Sequence, residues 1–333
     1  MINPIYSPAP GRYENGMKYR RCGKSGILLP EISLGLWHNF GDVNTFASSL
    51  SMAHYAFDKG ITHFDLANNY GPSCGSAEET FGMIMKKSFI PYRDELFIST
   101  KAGHEMWPGP YGDWGSRKSL MSSLNQSLKR MNLEYVDIFY THRYDPNTPL
   151  EETLQTLVDI VRQGKALYIG ISKYPKDKAE LAYKYLKERD VHCLLHQGKY
   201  NLFNREPEEE GILRQAKENG TGFIAFSPLA QGLLTNRYLN GIPDDSRIAK
   251  GGFLKKEALT DEVLKKIKAL NELAIRRGQT LAEMALAWIL KDDLVTSVII
   301  GASSVGQLAD NLKAIDNTAF SAEELKNIYQ IVK

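Results

Sequence analysis

From residue 31 onward the chain alternates between short apolar runs and longer amphipathic stretches. Eight runs read as strands: "EISLGLW" (31–37), "THFDLA" (62–67), "LFISTKA" (96–102), "VDIFYTH" (136–142), "ALYIGIS" (166–172), "LLHQGKY" (194–200), "GFIAFSP" (222–228) and "TSVIIGA" (296–302). They are almost continuously apolar, as strands are when helices cover both faces of a parallel sheet. The stretches between them carry helix signals. "NTFASSLSMAHYAFDKG" opens on Asn44 as an N-cap and closes on Gly60. "SAEETFGMIMKK" has Glu79 three residues after Ser76, a capping box. "TPLEETLQTLVDIVRQG" offers Thr148 as cap, Pro149 at the first helical position, acids in the first turn and Gly164 at the end. "SRKSLMSSLNQSLKRMN", "DKAELAYKYLKERD" and "EEEGILRQAKENG" complete the series before the seventh strand, with Glu208–Glu210 as a solvated helix start. Eight βα units with no linker between them fit a single α/β domain over residues 1–333. The expected fold is one closed (β/α)₈ TIM barrel rather than two open sheets.

Two segments interrupt the pattern. Residues 103–115, "GHEMWPGPYGDWG", follow the third strand, and residues 229–260 are a long Gly/Pro-rich excursion after the seventh. Long loops in compact domains are usually functional or disordered. In a barrel both would lie at the C-terminal face, where active sites sit. Residues 1–17, Pro- and Gly-rich and without an apolar h-region, read as a loosely held lead-in rather than a signal peptide.

Composition narrows the function classes. Of 333 residues, 43% are hydrophobic and 24% charged, and 41 Lys+Arg against 39 Asp+Glu leave a net charge of +2. That balance argues against a nucleic-acid partner, and no run approaches the length of a membrane span. Cys22, Cys74 and Cys193 are too few and too irregular for a disulfide framework or a zinc pattern, so no metal is expected and a reducing cytoplasm is the simplest location. Cys74 reads as a bystander thiol in a loop, with a redox role as the alternative.

The chemistry gathers at strand ends. Asp65, Lys101 and His142 stand near the C-terminal ends of the second, third and fourth predicted strands, and Tyr70 follows in the turn-rich "ANNYG". Neighbouring strands are about 4.8 Å apart. Asp65 and Lys101 can therefore pair across the barrel top, each supplying the countercharge the other needs when buried. A phenol titrates near 10, and a nearby ammonium lowers that value. His142 could donate a hydrogen bond to a substrate oxygen. The set suits protonation of a developing alkoxide during carbonyl reduction. Taken singly, Asp65 and Lys101 read equally as a structural ion pair, Tyr70 as a loop aromatic and His142 as an ordinary strand-end histidine. Their joint placement turns the reading toward a site.

With "SLGLWHNFG", "GITHFDLANNYG", "GSAEETFG", "ISTKAG", "SLKRMNLEYVDIFYTHR", "GKALYIGIS", "FSPLAQGLL" and "IIGASSVGQLADNL", the chain resembles the aldo-keto reductase superfamily over nearly its whole length. Within it the chain is most similar to the branch of potassium-channel β-subunits and L-glyceraldehyde-3-phosphate reductases. The resemblance implies an NADPH-dependent reductase of a small aldehyde or ketone. Tyr70 would be the general acid, tuned by Lys101 and Asp65, and His142 would position the carbonyl. Asp65 would also belong to the cofactor's surroundings, and Trp37 would line the nicotinamide end. Ser172, Lys173 and Gln197 would hold the carboxamide, Lys173 standing where the family often has Asn or Arg. Phe226 would stack on the nicotinamide. Ser227, Leu229, Gln231, Gly232 and Leu233 would form the pyrophosphate loop, and Gly301, Ser303, Gln307, Asp310 and Asn311 the adenosine end.

No G-x-G-x-x-G occurs, which disfavours a Rossmann reading. "SSVGQLADN" would open a helix whose N-terminus suits a phosphate, though alone it reads as well as an ordinary capped barrel helix. Many NADPH-specific relatives have a basic residue within the segment matching "GASSVGQ"; here there is none, leaving Arg237, Arg247 or Lys250 to supply the charge, Arg247 first among them. Trp107, Tyr111 and Trp114 would wall an apolar pocket that, with Trp37, Tyr70 and His142, takes the carbonyl substrate. Methylglyoxal or a triose phosphate such as L-glyceraldehyde 3-phosphate suits it. Arg117 and Lys118 could meet a substrate phosphate or simply start a solvated helix. The alternative to an enzyme is a cofactor-binding regulatory subunit like the channel β-subunits. The branch often forms homo-oligomers, tetramers or octamers, though no surface pattern in the sequence shows one.

Overall fold

The computed structural model describes residues 6–14, 16–244, 246, 248, 249, 251 and 254–333. A hairpin of β1 (Tyr19–Arg21) and β2 (Leu28–Pro30) precedes eight parallel strands. These are β3 (Ile32–Gly35), β4 (His63–Asp65), β5 (Phe97–Ala102), β6 (Val136–Thr141), β7 (Ala166–Ser172), β8 (Cys193–Lys199), β9 (Gly222–Phe226) and β10 (Ser297–Ile300). They close in sequence order, β10 pairing with both β9 and β3. Each lies within one of the eight sequence runs or one residue outside it. The expected barrel is the observed fold.

Helices cover the outside: α1 (Phe46–Asp58), α2 (Ser76–Ile84), α3 (Arg117–Met131), α4 (Leu150–Arg162), α5 (Lys176–Lys187), the short α6 (Glu206–Glu209) and α7 (Ile212–Glu218), then α8 (Asp261–Arg276), α9 (Leu281–Ile289), α10 (Val305–Leu312) and α11 (Ala322–Val332). Their inward faces supply the core between ring and barrel, with Leu120, Leu124, Leu157 and Trp288 fully or almost fully buried. Each such aliphatic side chain contributes about 1.5–3 kcal/mol through removal from water. Among the described residues no helix is long and apolar enough to cross a membrane.

Four expected helix starts differ, one of them because Glu208–Glu210 close α6 and α7 begins only after Gly211, at φ 79°. Thr45, not Asn44, caps α1, its hydroxyl accepting from Ser48 N at 3.3 Å, while Asn44 N closes a turn onto Gly41 O. Ser76 forms no capping box: it is already helical, Gly75 occupies the N-cap with φ 91°, and Ser76 Oγ donates to Ser73 O at 2.6 Å. At α4 the boundary residue is Pro149 and Thr148 caps nothing. Asp145 Oδ1 instead accepts from the amides of Asn147 and Thr148, so an Asx turn closes the loop before the helix.

The lead-in is also more tightly held than its composition suggests. Tyr6 stacks on His54 with ring centres 3.8 Å apart and donates to Asp58 Oδ1 at 2.9 Å. Ala9 N donates to the same oxygen at 2.8 Å, and Arg12 pairs with Glu95. The long excursion is not loose throughout either: Leu234 and Tyr238 are buried in the core.

Candidate active site

The strand register places the chemistry. Asp65 lies opposite Ser99 on β5, and the chain continues the ladder beyond β4, with Leu66 N on Ser99 O and Asn68 N on Lys101 O, both at 2.9 Å. Successive side chains alternate faces, so Ser99 and Lys101 share the face that looks into the barrel. Lys101 Nζ reaches Asp65 Oδ2 at 2.7 Å and Leu66 O at 2.6 Å, with the lysine fully buried. Asp65 Oδ1 accepts from Ser99 Oγ at 2.8 Å and from Gln197 Nε2 at 3.1 Å. The expected pair is therefore present, answered on every carboxylate oxygen. Burial pulls the Lys101 ammonium below its ordinary value, and Asp65 works against that fall.

Tyr70 lies over this pair, its ring centre 4.9 Å from Lys101 Nζ and 5.9 Å from the His142 ring. Trp37 stands on its other side, with ring centres 6.4 Å apart. The expected lowering of the phenol does not hold in this geometry. Burial and then the charge of Asp65 raise Tyr70 well above its ordinary value. Lys101 directs its hydrogen bonds at Asp65 and Leu66 O, which leaves burial and the carboxylate's repulsion of a phenolate to set the direction. The phenol is thus held in the form that can give a proton. Burial, followed by the charges of Lys101 and Lys173, drives His142 well below the ordinary histidine value, so its imidazole is neutral. Its Nδ1 is buried without a partner.

One residue here was not singled out from sequence. His104 packs edge-on against His142, ring centres 4.4 Å apart, and its Nε2 lies 3.2 Å from Lys173 Nζ. The available signal was a titratable side chain just past the C-terminal end of a barrel strand, three residues after Lys101. Gly103 between them has φ 135°, a backbone that side chains other than glycine rarely adopt, and its carbonyl accepts from Arg143 Nε at 2.7 Å.

The residues expected to hold a cofactor follow the rim. Ser172 ends β7 opposite Gln197, and its buried Oγ has no partner. Gln197 itself points to Asp65, so it belongs to the carboxylate's surroundings. Lys173 is exposed, with φ 55° and its ammonium 5.6 Å from the centre of the Phe226 ring. After Phe226 the backbone turns tightly, with Ser227, Ala230, Gln231 and Gly232 all at positive φ. Leu229 O accepts from Gly232 N at 2.8 Å, Leu233 is buried beneath, and Gln231 Oε1 is buried and unpartnered. Strained, over-determined turns of this kind cluster at ligand clamps. Past the exposed Gly301, Ser303 N and Oγ both donate to Gln307 Oε1, at 2.8 and 3.1 Å, Asp310 pairs with Lys313, and buried Asn311 Nδ2 has no partner. Unanswered buried polar atoms at Ser172, Gln231 and Asn311 fit a polar ligand laid along this rim. Arg237 lies in the turn Asn236–Tyr238, and Arg247 and Lys250 fall outside the described residues.

The aromatic wall is only partly assembled. Trp107 is half-buried, Tyr111 is 56% exposed, and Trp114 lies under the Arg143 guanidinium at 3.5 Å instead of facing an apolar pocket. Arg117 pairs with Asp159 on α4. Cys74 is exposed, whereas burial pushes the Cys22 and Cys193 thiols up to about 12. Among the described residues no cluster of three or more His, Cys, Asp or Glu could hold a metal ion.

A parallel (β/α)₈ barrel with a buried ion pair, a phenol and a neutral imidazole at its C-terminal mouth defines the class. The model of the Aldo/keto reductase family matches residues 31–333, and the chain belongs to that family, which makes it an oxidoreductase. The family generally uses NAD(P)H. The chain is 56% identical over 330 residues to the L-glyceraldehyde 3-phosphate reductase of Escherichia coli (strain K12), covering 98% of this chain and 95% of that one. It is 36% identical over 306 residues to the probable voltage-gated potassium channel subunit beta of Arabidopsis thaliana, covering 90% and 92%. The corresponding protein of Oryza sativa is 35% identical over 306 residues.

Proposed function

We propose that the protein reduces short aldehydes with NADPH, L-glyceraldehyde 3-phosphate first among them and methylglyoxal as a smaller alternative. The observation that carries this reading is the buried Asp65–Lys101 pair beneath Tyr70, with neutral His142 beside it. When bound, a reduced nicotinamide supplies hydride to the carbonyl carbon. Tyr70 gives its phenolic proton to the carbonyl oxygen, so the phenol O–H bond breaks as the alcohol O–H bond forms. The phenolate left behind faces the Lys101 ammonium, which Asp65 holds in place. His142 donates its single N–H to the same oxygen and fixes the approach of the carbonyl. A positioned proton donor of this kind is worth about 10²–10⁴-fold in rate.

Ser172, the turn through Ser227–Leu233 and the α10 start would bind the cofactor. Arg237 or Arg247 would meet the phosphate that distinguishes NADPH. The relative with the reductase name shares far more identity than the channel subunits do, which favours catalysis over a purely regulatory role. Free cysteines suit a reducing cytoplasm, and a tetramer or octamer of this chain goes with the same branch.

The test is a cofactor-binding titration followed by NADPH oxidation against a panel of short aldehydes. Binding with turnover on L-glyceraldehyde 3-phosphate is the expected outcome. Binding without turnover on any aldehyde would establish the regulatory reading, and absence of NADPH binding would remove both.

A further inference from the structure

Three cations surround the reacting corner, and their charges do not balance. Lys101 has Asp65, and Arg143 has Asp113, at 2.7 Å in each case. Among the described residues Lys173 forms no ion pair with a carboxylate. Its position is nonetheless defined. Its backbone N–H donates to Gln197 O at 3.0 Å, its left-handed φ turns the chain at the end of β7, and its ammonium meets His104 Nε2 at 3.2 Å. His104 is fixed in turn by its edge-on contact with His142. Burial, then Lys173 and Arg143, lower His104 to about 4, so near neutrality it accepts the lysine's hydrogen bond as a neutral ring. An uncompensated ammonium thus stands one imidazole's width from the histidine that would orient the carbonyl.

We propose that Lys173, steered by His104, is the recognition point for the phosphate group of a short phosphorylated aldehyde whose carbonyl lies between Tyr70 and His142. The assignment rests on the reductase reading above. It takes the phosphate from Arg117, and it moves Lys173 from the carboxamide, which is left to Ser172 and Gln197. Arg117 already pairs with Asp159, and its amide donates to Glu152 Oε1 at 2.9 Å. An incoming phosphate supplies the charge that Lys173 lacks, and His104 keeps the ammonium from swinging into solvent in the meantime. Lys173 thereby acts as a point charge for a phosphate oxygen, a role lysine fills well.

The experiment compares KM for L-glyceraldehyde 3-phosphate with KM for L-glyceraldehyde. Lys173→Met is expected to raise the ratio of the first to the second by about 10- to 100-fold, the loss of one charge-assisted hydrogen bond. His104→Phe, which keeps a ring against His142 but removes the nitrogen, raises it by a smaller factor. Lys173→Arg restores a ratio near that of the wild type. An unchanged ratio in Lys173→Met would overturn the assignment. So would an equal rise for both aldehydes together with weaker NADPH binding, which would place Lys173 on the cofactor. Calorimetry of the NADP⁺-loaded protein with glycerol 3-phosphate, and with glycerol as control, tests the subsite without turnover. Wild type should bind the phosphate ester and Lys173→Met should bind it 10- to 100-fold more weakly, by the same estimate. Equal binding by both, or none by the wild type, overturns the subsite. Selective binding by a protein that turns over no aldehyde would support the subsite while removing the reductase reading.

Discussion

Asp65 sits on a boundary between two kinds of polar environment. On its inner side a chain of hydrogen bonds runs through the barrel, from Ser297 Oγ to Ser33 Oγ at 2.6 Å, to His63 Nδ1 at 2.8 Å, and from His63 Nε2 to Ser99 Oγ at 3.1 Å. Ser99 then donates to Asp65. Each of these groups is buried, and each has partners. On the outer side lie Ser172 Oγ, His142 Nδ1 and both ends of the Asn68 amide, all buried and none with a partner. The difference is instructive because the two regions are built from the same residue types a few ångströms apart. A buried polar group without a partner costs about 1–3 kcal/mol. The fold carries that cost at the rim, while the Ser–His chain beneath avoids it, with the buried Tyr140 hydroxyl the unpartnered exception. The inner side is a support that holds Lys101 in one place; the outer side leaves several buried polar atoms without a protein partner.

The contrast can be broken most severely at Asp65. Asp65→Ala leaves Lys101 buried without a countercharge, and removing one partner of such a pair costs about 3–5 kcal/mol. Denaturant unfolding should show a loss of that size. A loss under 1 kcal/mol would mean that Lys101 is not held charged by Asp65. A finer comparison uses one chemistry at two places. Ser99→Ala removes a donor from Asp65 and a partner from His63, and should cost about 1–3 kcal/mol. Ser172→Ala removes a buried hydroxyl that bonds to nothing, so it should leave stability unchanged or raise it by up to about 1–3 kcal/mol, while NADPH binding weakens. Equal destabilisation by the two would erase the distinction between support and rim.

Acid sharpens the same point. Burial holds His63 at about 4, His104 at about 4 and His196 at about 3, against an ordinary value of 6.5. Between those limits the unfolded chain binds protons that the folded one refuses. Stability is therefore full above pH 6.5 and falls as the pH drops towards 4, by up to about 1.4 kcal/mol per pH unit for each histidine. His63→Asn should flatten that decline measurably in unfolding curves taken from pH 7 to 4.5. The smallest effect is expected at Arg117→Ala, which removes an exposed pair with Asp159. Stability and the preference for phosphorylated over free glyceraldehyde should both stay near their wild-type values.

Much of this arrangement was legible because it is local. Apolar runs and capped amphipathic stretches mark all eight barrel strands and most helices, since period and turn chemistry need only neighbouring residues. The Asp65–Lys101 pair was legible because consecutive parallel strands must be neighbours. What escaped depends on distant partners. Tyr6 and Arg12 clasp Asp58 and Glu95 across roughly 50 to 80 residues of sequence, and no composition rule reveals that. The caps at Thr45 and Gly75 turned on which of several adjacent small polar residues the loop geometry favoured. The direction of the Tyr70 shift depended on its burial and on the charge of Asp65, which residue spacing does not encode. His104 escaped for a similar reason: its neighbours His142 and Lys173 come from two other strands.

The support beneath Tyr70 matters only if Tyr70 gives the proton. The direct measurement is the single-turnover rate of NADPH oxidation with saturating L-glyceraldehyde 3-phosphate, for wild type and Tyr70→Phe, with NADPH affinity determined separately for both. The expected result is an affinity within about twofold, because Phe keeps the ring, and a rate constant lower by about 10²–10⁴-fold in Tyr70→Phe. Retention of the wild-type rate to within a few-fold, at unchanged affinity, would show that the proton comes from another group and that the Asp65–Lys101 pair serves the fold rather than the reaction.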